Sequence, residues 1–251
     1  MADIILVPGL WLDGASWDAV LPSLDAAGHR THPLTLPGME SPDADRSGVT
    51  LRDHVAAVVA AIDGAATDGP IVVVGHSAGS GIAWAAVDAR PDRVDHLVVV
   101  GGFPTPDGRA LAPYFTANDV GEIPLPPWSE FDDADLDGLD DDLKADFADR
   151  ALPSPANVTT DPQELSDPRR YDVPVTAVCP EYTTEQLRSW IDDGEESVAE
   201  FTRIHDVTYV DLPTGHWPQF TRPDRLARTI LAAVSSVEPA DGQDDDQGVR
   251  G

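Results

Sequence analysis

Short apolar runs alternate along the chain with longer stretches in which apolar residues return every three or four positions. The first run, residues 4–7, ends at Pro8-Gly9 and reads as a strand followed by a turn. Residues 15–27 carry Trp17, Val20, Leu21 and Leu24 at helical spacing, and Gly28 is the expected stop. A second strand is expected at 31–36, then a loop at 37–48. Thr50 opens a helix, with Asp53 three residues on as a capping pair and Val55, Val58, Val59 and Ile62 as the apolar face. Residues 71–74 form a strand between Gly69-Pro70 and Gly75, and a helix follows at once, from about 78 to 89. Further strands are expected at 94–100, 173–179 and 208–212. Further helices are expected near 184–192 and from Pro223, well placed in a first helical turn, to 234.

Strands alternating with helices imply an α/β fold, a mostly parallel, doubly wound sheet covered on both faces. The alternation breaks between about 103 and 168, a segment with Pro124, Pro126, Pro127, Pro153 and Pro155 and a dense acidic stretch. An insertion over the sheet fits this segment. Phe131, Leu136, Leu139, Leu143 and Phe147 are spaced as one apolar helical face, with the acids between them as its solvated side. One domain is expected over 1–237, and residues 238–251 read as an acidic, structureless tail.

With 251 residues the chain is long enough for one large α/β domain, and 41% hydrophobic residues exclude a disordered protein. No apolar run approaches a membrane span. The first residues lack a signal peptide's basic segment and long apolar stretch, so a cytoplasmic location is the default expectation. The charge changes the picture more. Acidic residues number 45 against 16 basic ones, a formal net charge of −29. Self-repulsion at that charge opposes a compact state, and salt screens it. The composition therefore reads as adaptation to high salt. Without a basic patch, neither nucleic acid nor an anionic membrane is an expected partner. Cys179 is the one cysteine, so no internal disulfide forms, and no Cys/His cluster has zinc-ligand spacing. Neither a metal nor another cofactor is called for, and no sequence feature speaks for an oligomeric state.

The candidate chemistry sits at strand ends. Gly75-His76-Ser77-Ala78-Gly79 lies between a strand and a helix, the context a nucleophile elbow requires. A sharp turn there projects the Ser77 hydroxyl above the sheet edge, and small neighbours let strand and helix pass closely. A serine hydroxyl needs a base to remove its proton. His216, after the last strand, is the candidate, and the other six histidines read as structural. An acid should orient the imidazole, in chain order after the serine and before the histidine. Glu181, just beyond a strand, fits; Asp107 and Asp206 are the alternatives. The oxyanion donors should be the amides of Ala78 and Leu10, with Trp11 second to Leu10. Trp11 and Trp217 are candidates for an apolar substrate wall. Cys179 reads as a buried structural thiol.

These residues together resemble the α/β-hydrolase superfamily, and more narrowly the small esterases and hydroxynitrile lyases that include the plant salicylate methylesterases. The resemblance runs from about residue 3 to 236 and is weakest in the insertion. Residues 7–17 resemble that group's first loop, with Pro8 in place of its usual histidine; Gly75 to Gly79 resembles its elbow, and Gly215-His216 its histidine loop. The resemblance implies that the insertion is a helical lid over a substrate pocket. It implies a serine esterase acting on a small carboxylic ester through an acyl-enzyme. The alternatives are a hydroxynitrile lyase-like carbon–carbon lyase, or a non-catalytic ligand-binding relative. Two positions depart from the pattern. The group usually carries Glu-Asp after the strand ending at Cys179, the Asp being catalytic, whereas here the pair is Glu181-Tyr182. The lyases have a Thr in the first loop and a Lys after the histidine; Gly9 and Trp217 stand there, which favours ester hydrolysis.

Overall fold

The computed structural model describes residues 1–66 and 68–237. The acidic tail expected at 238–251 lies outside the described residues. Six strands form one sheet: β1 (Asp3–Val7), β2 (Arg30–Pro33), β3 (Ile71–His76), β4 (His96–Val100), β7 (Val175–Cys179) and β8 (Val207–Asp211). Two-residue strands β5 (Glu122–Ile123) and β6 (Ser154–Pro155) pair antiparallel by themselves. The helices are α1 (Leu21–Ala26), α2 (Leu51–Gly64), α3 (Ala78–Ala89), α4 (Asp141–Arg150), α5 (Ala156–Thr160), α6 (Thr184–Asp192), α7 (Pro218–Thr221) and α8 (Pro223–Val237).

The large sheet runs β2-β1-β3-β4-β7-β8, and every neighbouring pair is parallel. The apolar runs explain this. Residues of β1, β3, β4 and β7 are buried throughout, as strands covered on both faces must be. Ile5, Val73 and Val99 face one core with Val58 and Ile62 of α2 and Ile82 of α3. Ile4, Val72 and Val98 face the other, with Leu24 of α1 and Leu226 and Ile230 of α8. Chain order steps from β1 out to β2, then returns to β3 on the other side of β1. The reversal opens a crevice beyond the carboxyl ends of β1 and β3, where ligands of open α/β sheets bind.

Local signals placed several elements closely. Thr50 and Asp53 form a reciprocal capping box at the start of α2. The helix expected over 15–27 is instead a 3-10 turn, Gly14–Trp17, followed by α1. Pro22 stands in the first turn of α1, where its missing N–H is tolerated; inside a longer helix it would break the ladder. The apolar face survives the break, with Trp17, Val20 and Leu24 fully buried.

Residues 103–168 leave the sheet between β4 and β7. The single helical face expected over 131–147 does not form, and α4 starts only at Asp141, where the Asp140 carboxylate caps Leu143 N–H at 2.9 Å. Phe131, Leu136, Leu139, Leu143 and Phe147 still gather in one cluster, with Trp11 and Trp217. The segment is tied down where it rejoins the domain. Asp88 of α3 accepts the N–H groups of Ser166 and Asp167, and Arg170 joins Asp88 at 3.0 Å to Glu200 at 3.3 Å. All three side chains are buried, so each charge depends on its partners. Among the described residues, no helix is long and apolar enough to cross a membrane.

Candidate active site

Ser77 sits on the one-residue turn between β3 and α3 with φ 53° and ψ −127°, a conformation a serine adopts only under constraint. The constraint is close packing. A Cβ on Gly75 would lie 2.5 Å from the Gly79 carbonyl, and one on Gly79 would lie 2.5 Å from the Pro8 carbonyl. Strand, helix and first loop therefore meet without side chains between them. Ser77 N–H donates to the Val100 carbonyl at 2.8 Å, which ties the turn to β4.

His216 lies in the loop after β8, and Glu181 in the loop after β7. The structure brings them together: His216 Nδ1 and Glu181 Oε1 are 2.8 Å apart. Tyr182, where the resemblance places an acid, points elsewhere and packs against Phe103 and Trp190. Glu181 reaches the ring because Gly101 leaves room. Gly101 has φ 57°, and a Cβ there would come within 3.2 Å of Glu181 Oε2 and 3.3 Å of His216 Nδ1. Asp107 and Asp206 are elsewhere: the Asp107 carboxylate accepts from Leu165 N–H, and Asp206 precedes β8 at the opposite edge of the sheet.

Ser77, Glu181 and His216 all line one cavity of about 940 Å³, with Leu10, Trp11 and Ala78. Residues 103–135 supply a further wall. Trp217 is a correction. It was expected on the substrate wall, but it is fully buried under the insertion, edge-on to Trp128, Phe131 and Phe147, and is absent from the cavity lining. It holds His216 from behind, ring centroids 4.8 Å apart. Trp11 keeps an unusual φ of 64°, and its N–H is used by the Ser154 hydroxyl at 2.8 Å. Leu10 N–H has no intramolecular acceptor among the described residues.

Asp135 is the residue that sequence reasoning missed. It was counted among the solvated acids of the insertion, yet it is only partly exposed and lines the cavity. Its carbonyl accepts His216 N–H at 2.9 Å. Its carboxylate, Glu181 and His216 each offer an atom within 4.8 Å of the others. No periodicity marks which acid of so acidic a stretch folds over the histidine. These three are the described residues placed to share a cation, although His216 Nδ1 is already engaged by Glu181.

The electrostatics follow from burial and neighbours. Burial works against a charged His216, but the Glu181 charge and hydrogen bond outweigh it, Asp135 adds to them, and the ring is held above its ordinary 6.5. Burial raises the Asp135 carboxyl; His216 pulls it down and Glu181 pushes it up, with a net rise. Burial lowers His76 to about 3, so it stays neutral, its Nε2–H donating to the His216 carbonyl at 2.8 Å. His76 thus braces the His216 loop from the elbow itself. His32, His54, His96 and His205 pair with Asp3, the Pro37 carbonyl, Thr176 and Asp172 respectively. Burial pushes the Cys179 thiol up to about 12, leaving it inert.

A parallel α/β sheet, a strained serine elbow at its switch point and a histidine–carboxylate pair at the same edge are the framework of one class, the α/β-hydrolases. The sequence model of the alpha/beta hydrolase family matches residues 4–229, and the chain belongs to that family. A pyrethroid hydrolase of Sphingobium wenxiniae is 26% identical over 256 residues, spanning 92% of this chain and 86% of that protein. Solved structures with the same fold include the following two. An extracellular α/β-hydrolase from a Paenibacillus species has a TM-score of 0.74 at 19% identity, covering 93% of this chain and 99% of that one. A methylesterase from Arabidopsis has a TM-score of 0.70 at 15% identity, covering 94% and 100%.

Proposed function

We propose that the protein is a serine hydrolase that cleaves a small carboxylic ester through an acyl-enzyme. The observation that carries this reading is the 2.8 Å pair of His216 and Glu181 in the cavity that also holds the Ser77 elbow. Glu181 occupies Nδ1, which leaves Nε2 to take the Ser77 proton. Among the described residues the ring makes no other side-chain hydrogen bond, and in free enzymes the bond to the nucleophile often tightens only with substrate bound. Ser77 Oγ then attacks the ester carbonyl. The amides of Leu10 and Ala78 hold the oxyanion, each such donor contributing about 2.7–4 kcal/mol in measured cases. Trp11 N–H already donates to Ser154 Oγ, which supports Leu10 rather than Trp11 in that role. His216 returns the proton to the leaving alcohol, and water releases the acyl group by the same route. The names of the similar proteins, a pyrethroid hydrolase and a methylesterase, support ester chemistry. On this reading the segment 103–168 is a lid, since its residues 103–135 wall the cavity that holds Ser77. The net charge of −29 is read as adaptation to high salt.

A Ser77→Ala variant tests the proposal. It should keep its circular dichroism spectrum, lose hydrolysis of short p-nitrophenyl esters and escape labelling by a fluorophosphonate. Wild-type-like turnover by that variant would remove Ser77 from the chemistry.

A further inference from the structure

The cavity combines aromatic rings with carboxylates and holds almost no positive charge. Its acidic lining residues are Glu130, Asp135, Glu181, Glu195 and Glu196. Arg109 is the one arginine or lysine among the described lining residues, and it is already paired with Glu196. Glu130, Glu195 and Glu196 are exposed, so salt screens them. Glu181 gives Oε1 to His216, and its Oε2 is buried, out of reach of solvent. Asp135 differs from both groups. It is partly buried and has no arginine or lysine partner among the described residues; its carboxylate meets Asp132 N–H at 3.3 Å. The cavity it lines also carries an aromatic cluster, with Trp11 and Phe115 centroids 5.0 Å apart, Trp11 and Phe131 5.9 Å apart, and Tyr114 and Phe115 4.7 Å apart. The negative faces of such rings and a neighbouring carboxylate attract the same kind of group, a weakly hydrated organic cation.

We infer that the preferred ester carries a quaternary or protonated ammonium group close to its scissile bond, and that Asp135 selects it. The inference rests on the serine-esterase reading. The Asp135 carboxylate lies within 4.8 Å of atoms of both His216 and Glu181 and lines the same cavity as Ser77, so the cation it recognises sits in that cavity beside the reacting carbonyl. Hydrolysis breaks the acyl C–O bond; water gives its hydroxyl to the acyl carbon and its proton to the alcohol. The released carboxylate then faces a wall of its own sign, which favours its departure.

Acetylcholine and 3,3-dimethylbutyl acetate have the same shape and differ by one charge. Their kcat/KM values are to be compared on the full chain at one fixed, high salt concentration and mildly alkaline pH. The choline ester should be favoured about tenfold or more, equivalent to about 1.4 kcal/mol. Asp135→Asn should bring the ratio close to one, and Asp135→Glu should keep it high. Because the ratio is internal to each preparation, a general loss of activity does not alter it. Tetramethylammonium should inhibit the wild type competitively, and the Asn variant about tenfold less well. A wild-type ratio of one or below, with the neutral ester turned over, overturns the inference. So does an Asn variant that keeps the full ratio. Failure to hydrolyse either ester or p-nitrophenyl acetate overturns the serine-esterase reading itself.

Discussion

Replacing Glu181 by Gln keeps the side chain's size and removes its charge. In the native site Glu181 and His216 are both mostly buried and 2.8 Å apart. Opposite charges with centres about 4 Å apart attract by about 4 kcal/mol at an effective dielectric near 20. That attraction reaches full strength once His216 is protonated, the state it enters in the proposed mechanism when it takes the Ser77 proton. At 1.36 kcal/mol per decade, about 4 kcal/mol is roughly a thousandfold in rate. An amide also donates to Nδ1 and favours the wrong ring tautomer, a fault that costs about 10⁴ in kcat in a serine protease triad. On short p-nitrophenyl esters at mildly alkaline pH, kcat/KM of Glu181→Gln should therefore fall by about 10³ to 10⁴ with folding intact. Asp107→Asn and Asp206→Asn should stay within about threefold of wild type, because neither carboxylate meets the ring. The reasoning fails if Glu181→Gln loses less than about tenfold while Asp135→Asn loses most of the activity. The orienting acid would then be Asp135.

Other expectations come from the same geometry. His216 must be neutral to act as a base, and its neighbours hold it above 6.5. The acid limb of the kcat/KM profile should thus lie above that value, with activity rising as pH rises through it, and should move to lower pH in Glu181→Gln; a limb below 6.5 in the wild type would contradict this. Gly101→Ala puts a methyl between Glu181 and His216 at φ 57°. It should cost about 1–2 kcal/mol of stability, read by denaturant unfolding, and lower kcat as well; an unaltered kcat would show that the pair tolerates displacement. Raising NaCl from about 0.1 to 1 M should raise Tm by about 5–10 °C as self-repulsion is screened, and a flat or falling Tm would remove the high-salt reading.

The order of elements was legible because each carries a local physical signal. Short apolar runs rich in Val, Ile and Leu, bounded by Gly, Pro or polar residues, read as buried strands, whereas the longer Ala-rich runs at 55–62 and 82–87 read as helix. Thr50 and Asp53 announce a helix start by their own hydrogen bonds, and the predicted span 78–89 is the one observed for α3. Such signals failed where a local rule and a distant partner competed. Pro22 cut the helix expected over 15–27, and the spacing of Phe131 to Phe147 was satisfied by turns packing into a shared cluster rather than by one helix.

The same division runs through the site. Ser77 was legible because its elbow is local: strand, Gly75, Gly79 and helix are contiguous in the chain. His216 and Glu181 were legible as positions after strands, since parallel strands bring such loops to one edge. Which carboxylate meets the ring was decided only in three dimensions. Glu181 reaches His216 because Gly101, eighty residues earlier by number, lacks the Cβ that would fill the space. Asp135 was invisible among so many acids until the insertion folded and its carbonyl bound His216 N–H. Trp217 looked like a substrate contact by sequence alone, and only the packing of Trp128, Phe131 and Phe147 turned it into the wall behind the histidine. Hydrophobic period and turn chemistry act over a few residues, so the chain by itself determined its strands, its elbow and the edge where its chemistry sits. Contacts between segments far apart in sequence carry no local signal, so tertiary structure alone decided which carboxylate meets His216, the cavity wall and its charge.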